Sequence, residues 1–330
     1  MTRYEVADWD PAVEVLRSSA EVAVACHVNP DGDALGSLLG ASLALRKLGV
    51  KTYASWDDEP FALPATYAFL PGAEALVPPA ELPALDTLLA LDCGAADRLG
   101  RIEELARRAR YVINVDHHPG NDRFGTHNIV VPTASSTAEL LHALLEDLGV
   151  ELDRDIATCL YTGLVTDTGR FSYANSSPAT LRMAADLLGY GVTAPAIAQE
   201  VFDSAPFGYL KLVGVVLERA QLLADERLVY SWVTLDDLDR TGVAYNETEK
   251  LIDLVRATRD ADVAAIFKEQ DAGGFRVSLR SKGPSVGEIA RAAGGGGHDL
   301  AAGFTAASVA EGVDHVRRGL RRTESASSGV

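Results

Sequence analysis

Along the first half of the chain, short apolar runs stop abruptly at an aspartate or a histidine. Residues 22–26 lead into His27, residues 85–91 into Asp92, and residues 111–115 into Asp116. A stretch with helical patterning over 154–166 stops in the same way at Asp167. Runs this short and this apolar suit strands covered on both faces, and helical stretches lie between them. That alternation predicts an α/β fold with an N-terminal doubly wound parallel sheet. In such sheets ligands bind beyond the carboxyl ends of the strands. The acids and histidines are therefore expected along one edge, although they are far apart in sequence.

Further elements follow from breakers and caps. A helix is expected over 34–48, closed by Gly49, and a strand over 50–55. Residues 59–80 contain Pro60, Pro64, Pro71, Pro78 and Pro79, which predicts a turn-rich connection with one short helix. Another helix is expected over 103–110. Ser135, Ser136 or Thr137 can cap a helix reaching 148, and Ser177-Pro178 opens one reaching 188. Gly189, Gly191 and Pro195 then break the pattern, so the first domain is placed at residues 1–191. Residues 192–224 read as a mainly helical linker. Beyond them, strands are expected at 228–234, 261–268 and 275–280, and helices at 247–258, 286–293 and from 309 onward. These make a smaller C-terminal α/β domain over 225–322, and the Ser-rich residues 323–330 read as a disordered tail.

A chain of 330 residues is long enough for two such cores. Its formal net charge of −17 argues against a track for long nucleic acid, which needs a basic stripe. Arg107, Arg108 and Arg110, and Arg317, Arg318, Arg321 and Arg322, read as solvated helix faces. Cys26, Cys93 and Cys159 form no CxxC pair and read as buried packing residues in a reducing compartment. The N-terminal ten residues show no signal pattern, and no run of about 18 apolar residues occurs. A cytoplasmic protein without membrane partners is expected.

The punctuating residues carry the chemistry. His27-x3-Asp31-x-Asp33 places an imidazole and two carboxylates around a tight Asn-Pro-Asp-Gly turn. Asp33 on its own would equally serve as a helix cap. Asp116-His117-His118 is more specific, because packing seldom calls for adjacent histidines at a strand end. With Asp92 and Asp167, these residues offer hard oxygen and imidazole donors and no thiolate at ligand spacing. That set suits two divalent ions clamping a phosphate ester. Mixed His and Asp donors favour Mn²⁺ over Mg²⁺, which prefers oxygen alone. Two ions of charge +2 at most balance these carboxylates, so further cations must hold the phosphate. Arg280, ending the run Val277-Ser278-Leu279-Arg280-Ser281, is one candidate. The glycines at 294–297 before His298 are another, since bare backbone can approach an anion and offer N–H groups. This predicts an active-site cleft between the two domains.

Together these segments resemble the DHH phosphoesterase family with a C-terminal DHHA1 domain, "VSLRS" and "GGGGHDLAAGF" matching the latter. The overall pattern looks most like its NrnA-type branch of oligoribonucleases and 3′-phosphoadenosine 5′-phosphate (PAP) phosphatases. The resemblance implies that His27, Asp31 and Asp92 hold one Mn²⁺. Asp33, Asp92, His117 and Asp167 would hold the second, with Asp92 bridging. Mg²⁺ or Co²⁺ would be substitutes. His118 would face substrate, Asp116 would support it, and Asp92, Asp116 and His118 would form the catalytic group. Arg280, Ser281, Gly295, Gly296, Gly297 and His298 would bind the substrate. Implied substrates are short oligoribonucleotides, pApA, PAP and cyclic di-AMP, and a homodimer is compatible with the resemblance. Rival readings are a family II-like inorganic pyrophosphatase, a single-strand-specific exonuclease and a non-catalytic cyclic-dinucleotide sensor.

Overall fold

Strand and helix alternate in the N-terminal half as expected. In a computed structural model describing residues 4–327, the first unit runs to Ser204. Its elements are α1 (Trp9–Ser18), β1 (Glu21–Ala25), α2 (Gly32–Lys47), β2 (Lys51–Ser55), β3 (Thr87–Leu91), α3 (Glu103–Arg108), β4 (Tyr111–Asp116), β5 (His127–Val130), α4 (Thr137–Leu148), α5 (Arg154–Asp167), α6 (Pro178–Gly189) and α7 (Ala194–Phe202). The five strands are all parallel, in the order β2-β1-β3-β4-β5. The order reverses between β1 and β3, which opens a crevice at their carboxyl ends.

Alternate residues of each strand feed two cores. Val22, Val24, Leu89, Leu91, Ile113 and Val115 pack with α1, α2, α4 and α5. Ala23, Ala25, Leu88, Ala90 and Val112 pack on the other face with Leu99 and Ile102. Helices α2 and α5 approach backbone to backbone. A Cβ at Gly36 would lie 2.4 Å from the Cys159 carbonyl oxygen. Residues 59–80 hold no full helix, only short 3-10 turns such as Ala65–Tyr67 and Ala73–Ala75.

The second unit starts at Ala205. It comprises α8 (Phe207–Arg219), β6 (Gln221–Leu223), β7 (Leu228–Val233), α9 (Leu235–Thr241), α10 (Leu251–Arg256), β8 (Val263–Glu269), β9 (Phe275–Ser281), α11 (Val286–Arg291), β10 (Gly296–Gly297), β11 (Ala301–Ala306) and α12 (Val309–Ser327). Its mixed sheet has the order β10-β11-β9-β8-β7-β6. One face packs on α11 and α12, through Val277, Leu279, Ile289 and Val316. The other packs on α8 and α10, through Leu212, Val216, Ile252 and Ile266.

Several boundaries move from the sequence reading. The 192–224 segment is not a separate body: Ile197 and Val201 belong to the first core, whereas Leu212 and Val216 belong to the second. The division therefore falls at residues 204 and 205, not at 191. The helix expected over 247–258 is split into a 3-10 turn, Tyr245–Thr248, and α10. Helix α12 continues to Ser327, through most of the segment expected to be disordered. Residues 328–330, the end of that segment, lie outside the described residues. No helix among the described residues is long and apolar enough to cross a membrane.

Candidate metal centre

The carboxyl edge of the first sheet gathers the punctuating residues. His27 follows β1 and is buried. Its Nδ1 lies 2.8 Å from the Val28 carbonyl, which can only accept, so Nδ1 carries the proton. Nε2 lies 3.5 Å from Asp92 Oδ2; burial opposes a proton there, but the hydrogen bond to Asp92 and the charges of Asp31 and Asp92 favour one, which a bound ion would displace. The Arg98 guanidinium, 3.2 Å from Nδ1, then finds no acceptor there.

Asp31 caps α2, its Oδ1 accepting from the N–H groups of Asp33 and Ala34 at 3.0 and 3.1 Å. Asp33 lies in the first turn of α2, and the start of α4 holds it. Its Oδ2 accepts from the Thr137 N–H at 2.6 Å, and its Oδ1 from the Ala138 N–H at 2.9 Å. A helix N-terminus favours a carboxylate, so two helix starts fix these acids. Thr137 also donates its hydroxyl to Asp92 Oδ1 at 2.9 Å. One residue thereby sets the distance between Asp33 and Asp92.

Asp92 has a left-handed backbone with φ of 55°. Its N–H donates to the Val115 carbonyl at 3.0 Å, tying it to β4. His117 Nε2 lies 3.7 Å from Asp92 Oδ1 and 3.6 Å from Asp167 Oδ2. Asp167 ends α5, where a negative charge opposes the helix dipole. Asn175 Nδ2 holds it, donating to the Asp167 backbone carbonyl at 3.1 Å and to the Ser135 carbonyl at 2.8 Å.

His118 is placed differently from His117. Its Nδ1 donates to Asp116 Oδ1 at 2.7 Å. Asp116 is fully buried and accepts on Oδ2 from Asn121 at 2.6 Å. Burial opposes a proton on His118, but the hydrogen bond to Asp116 and the charges of Asp92, Asp116 and Asp167 raise it to about 10. Asp116 thus fixes the orientation of the His118 ring, and the surrounding carboxylates favour a proton on it.

Two donor groups emerge. Ligand atoms of His27, Asp31 and Asp92 lie within 4.8 Å of one another, and so do those of Asp33, Asp92 and His117. Asp92 is common to both. The electrostatics call for cations: burial and the charges of Asp92, Asp167 and Asp31 push Asp33 well above the usual carboxylate range. Asp167 is pushed up to about 7, first by burial and then by Asp92 and Asp31 against the pull of His117. Burial also acts on Asp92, but the His27 hydrogen bond and the charges of His118, His27 and His117 hold it low. The donor set is hard and borderline, as divalent ions of the Mn²⁺ and Mg²⁺ type require. Cys26 and Cys93 do not join it; burial pushes both thiols up, and Cys93 donates to the Ala95 carbonyl.

In the second unit, Arg280 lies half-buried on β9. Ser281 is not beside it on the same face: it alternates toward the core, and its hydroxyl accepts from the Gly283 N–H at 3.0 Å. The glycine run serves β11 in part. A Cβ at Gly295 would lie 2.1 Å from the Gly303 carbonyl oxygen, and Gly297 has φ of 129°. Gly296 faces open space. His298 follows in the turn into β11, its carbonyl accepting from the Ala301 N–H.

Sequence reasoning missed Thr137, Asn121 and Asn175 as supports of the centre. Thr137 was visible only as one of three cap candidates; Ser136 is the cap, accepting from the Glu139 N–H at 3.1 Å.

The profile of the DHH family N-terminal domain matches residues 21–164, and that of the DHHA1 domain matches residues 225–323. The chain is 38% identical over 295 residues to the bifunctional oligoribonuclease and PAP phosphatase NrnA of Thermus thermophilus, covering 88% of this chain and 86% of that protein. It is 27% identical over 282 residues to the Bacillus subtilis protein of the same name, covering 84% and 86%. Among solved structures, an exopolyphosphatase-related protein from Bacteroides fragilis superposes with a TM-score of 0.85 at 24% identity, covering 96% of each chain. RecJ of Thermus thermophilus, solved with Mn²⁺, superposes at 0.55 with 15% identity, over 98% of this chain and 55% of that one.

Proposed function

The chain belongs to the DHH phosphoesterase family, with a C-terminal DHHA1 domain, and is a hydrolase; we propose that it cuts oligoribonucleotides of a few residues, pApA among them, to 5′-mononucleotides and converts PAP to AMP. The observation that carries this reading is the pair of donor groups sharing buried Asp92. The relatives named for the two activities support the substrate class. The same chemistry extends to cyclic di-AMP.

His27, Asp31 and Asp92 would hold one Mn²⁺, and Asp33, Asp92, His117 and Asp167 the other, with Mg²⁺ or Co²⁺ as substitutes. Bound ions supply Lewis acidity to the phosphoryl group and acidify water. Asp92 serves both positions, and Thr137 fixes it against Asp33. His118, held by Asp116, donates to a phosphoryl or leaving oxygen. Arg280 and His298 take the substrate phosphate, and Gly296, two residues before His298, leaves open backbone. The match to a DHHA1 domain supports this reading over an inorganic pyrophosphatase.

A product assay with Mn²⁺ tests it, offering pApA, a 15-mer RNA, PAP, cyclic di-AMP and pyrophosphate in parallel. AMP released chiefly from pApA and PAP is the expected result. Rapid pyrophosphate cleavage, or tight nucleotide binding without product, would overturn it.

A further inference from the structure

Strand β9 presents Arg276, Ser278 and Arg280 on one face, because alternate strand residues share a side. The intervening Val277 and Leu279 point into the core beneath α11 and α12. Across the ladder, Arg276 stands directly opposite Lys268 of β8. Like charges directly opposite destabilise a sheet. Lys268 is buried and paired with Glu249, so that carboxylate is already engaged. Among the described residues, neither Arg276 nor Arg280 forms an ion pair, in a chain where 47 acidic residues outnumber 30 basic ones. Ser278, between them, is only 9% exposed, and its hydroxyl makes no hydrogen bond among the described residues. On the far side, β11 sets Ala301 opposite Arg280 and Gly303 opposite Ser278, so the β11 edge of this face carries only small residues, whereas Ile266 of β8 flanks the serine on the other side.

Glu249 faces Lys268, Arg276 and Arg280 together, so one carboxylate answers three cations, and the two guanidiniums with the Ser278 hydroxyl form a site for two anionic groups. The Cα atoms of the arginines are about 13 Å apart along an extended strand, and both side chains can reach inward. Arg280 is already assigned to the reacting phosphate. We infer that Arg276, with Ser278, is a second anion subsite that binds the other, terminal phosphate of a short nucleotide substrate. This rests on the phosphoesterase reading and sharpens it: pApA and PAP each carry a second phosphate. Arg suits the task because its fork grips phosphate oxygens in pairs.

The test compares pApA with ApA, which lacks the 5′-phosphate. Binding of each is titrated without added metal, and kcat and KM are measured with Mn²⁺. The full-length wild type should bind pApA about tenfold more tightly than ApA, the scale of one charge-assisted contact. In Arg276→Ala that ratio should fall toward one, in KM rather than kcat, and Arg276→Lys should restore part of it. Arg276 is exposed, so the variant should fold, and circular dichroism checks this. A ratio unchanged in Arg276→Ala, or absent from the wild type, overturns the subsite. Failure of the activity itself reads differently: no hydrolysis of either dinucleotide, with the binding preference intact, would sink the proposed function and leave the subsite standing.

Discussion

Asp92 carries more constraint than any other side chain in the first unit. It belongs to both donor groups, and its φ of 55° is a conformation that Asp and Asn tolerate better than most residues. Asp92→Asn therefore keeps the backbone and removes the charge. It should lower kcat/KM by on the order of a hundredfold or more and weaken both ion sites. Isothermal titration with Mn²⁺ beside the pApA assay checks this; wild-type turnover would sink the ligand assignment. Thr137 separates positioning from ligation. Thr137→Val keeps the shape and the backbone N–H to Asp33 but loses the hydroxyl to Asp92. Mn²⁺ affinity should fall about 10- to 100-fold, and Thr137→Ser should recover most of it. His27, Asp92 and Asp167 were legible as candidate donors because each sits where a patterned run ends, and Asp31, Asp33 and His117 because they stand close beside such an end. Thr137 and Asn175 were not, since hydroxyl and amide supports look like ordinary caps and loop residues until the chain is folded.

At the scale of elements, the contact between α2 and α5 couples packing to the site. Alanine is normally the better helix former by about 1 kcal/mol, so replacing a helical glycine should stabilise. Here the space is missing. A Cβ at Gly36 meets a backbone carbonyl oxygen at 2.4 Å, whereas one at Gly163 meets Asp33 Oδ1 at 2.7 Å. Gly36→Ala should destabilise the fold by about 1–3 kcal/mol, read by urea unfolding. Gly163→Ala should displace Asp33 and cost Mn²⁺ affinity more than stability. Equal losses of both in the two variants would count against this division. Strands β1, β3 and β4 were legible from their apolar runs. Strand β5 was not, because its residues His127 and Asn128 are polar. Helix α1 was missed as well: Asp8 and Asp10 flank Trp9 and hide the face formed by Trp9, Ala12, Val13 and Leu16.

The whole molecule holds two units, each with its own buried residues, and the two donor groups in which Asp92 meets His27 or His117 lie in the first. Mn²⁺ should therefore raise the melting temperature of the first unit, by linkage to the folded state alone. pH gives a second handle. Asp167 is raised from 3.8 to about 7, so without ions the folded state keeps a proton that the unfolded chain releases. Its contribution to stability is present below pH 3.8 and is lost as pH rises through about 7. Metal-free protein should thus lose stability as pH rises from 3.8 to about 7, and Mn²⁺ should cancel or reverse the trend, since cation binding displaces that proton. Calorimetry at several pH values with and without Mn²⁺ checks both; a metal-free protein that gains stability over this range would refute the assignment to Asp167.

The parallel order of the first sheet has a consequence for biosynthesis. Each neighbouring strand is delivered by a crossover, so the donors run from His27 to Asp167 along the chain. A nascent polypeptide must emerge beyond Asp167 before its complete donor set exists. The support from Asn175 comes later still. A ribosome partway through the message therefore carries no working copy of this hydrolase, which exists only once the first unit has been made and closed.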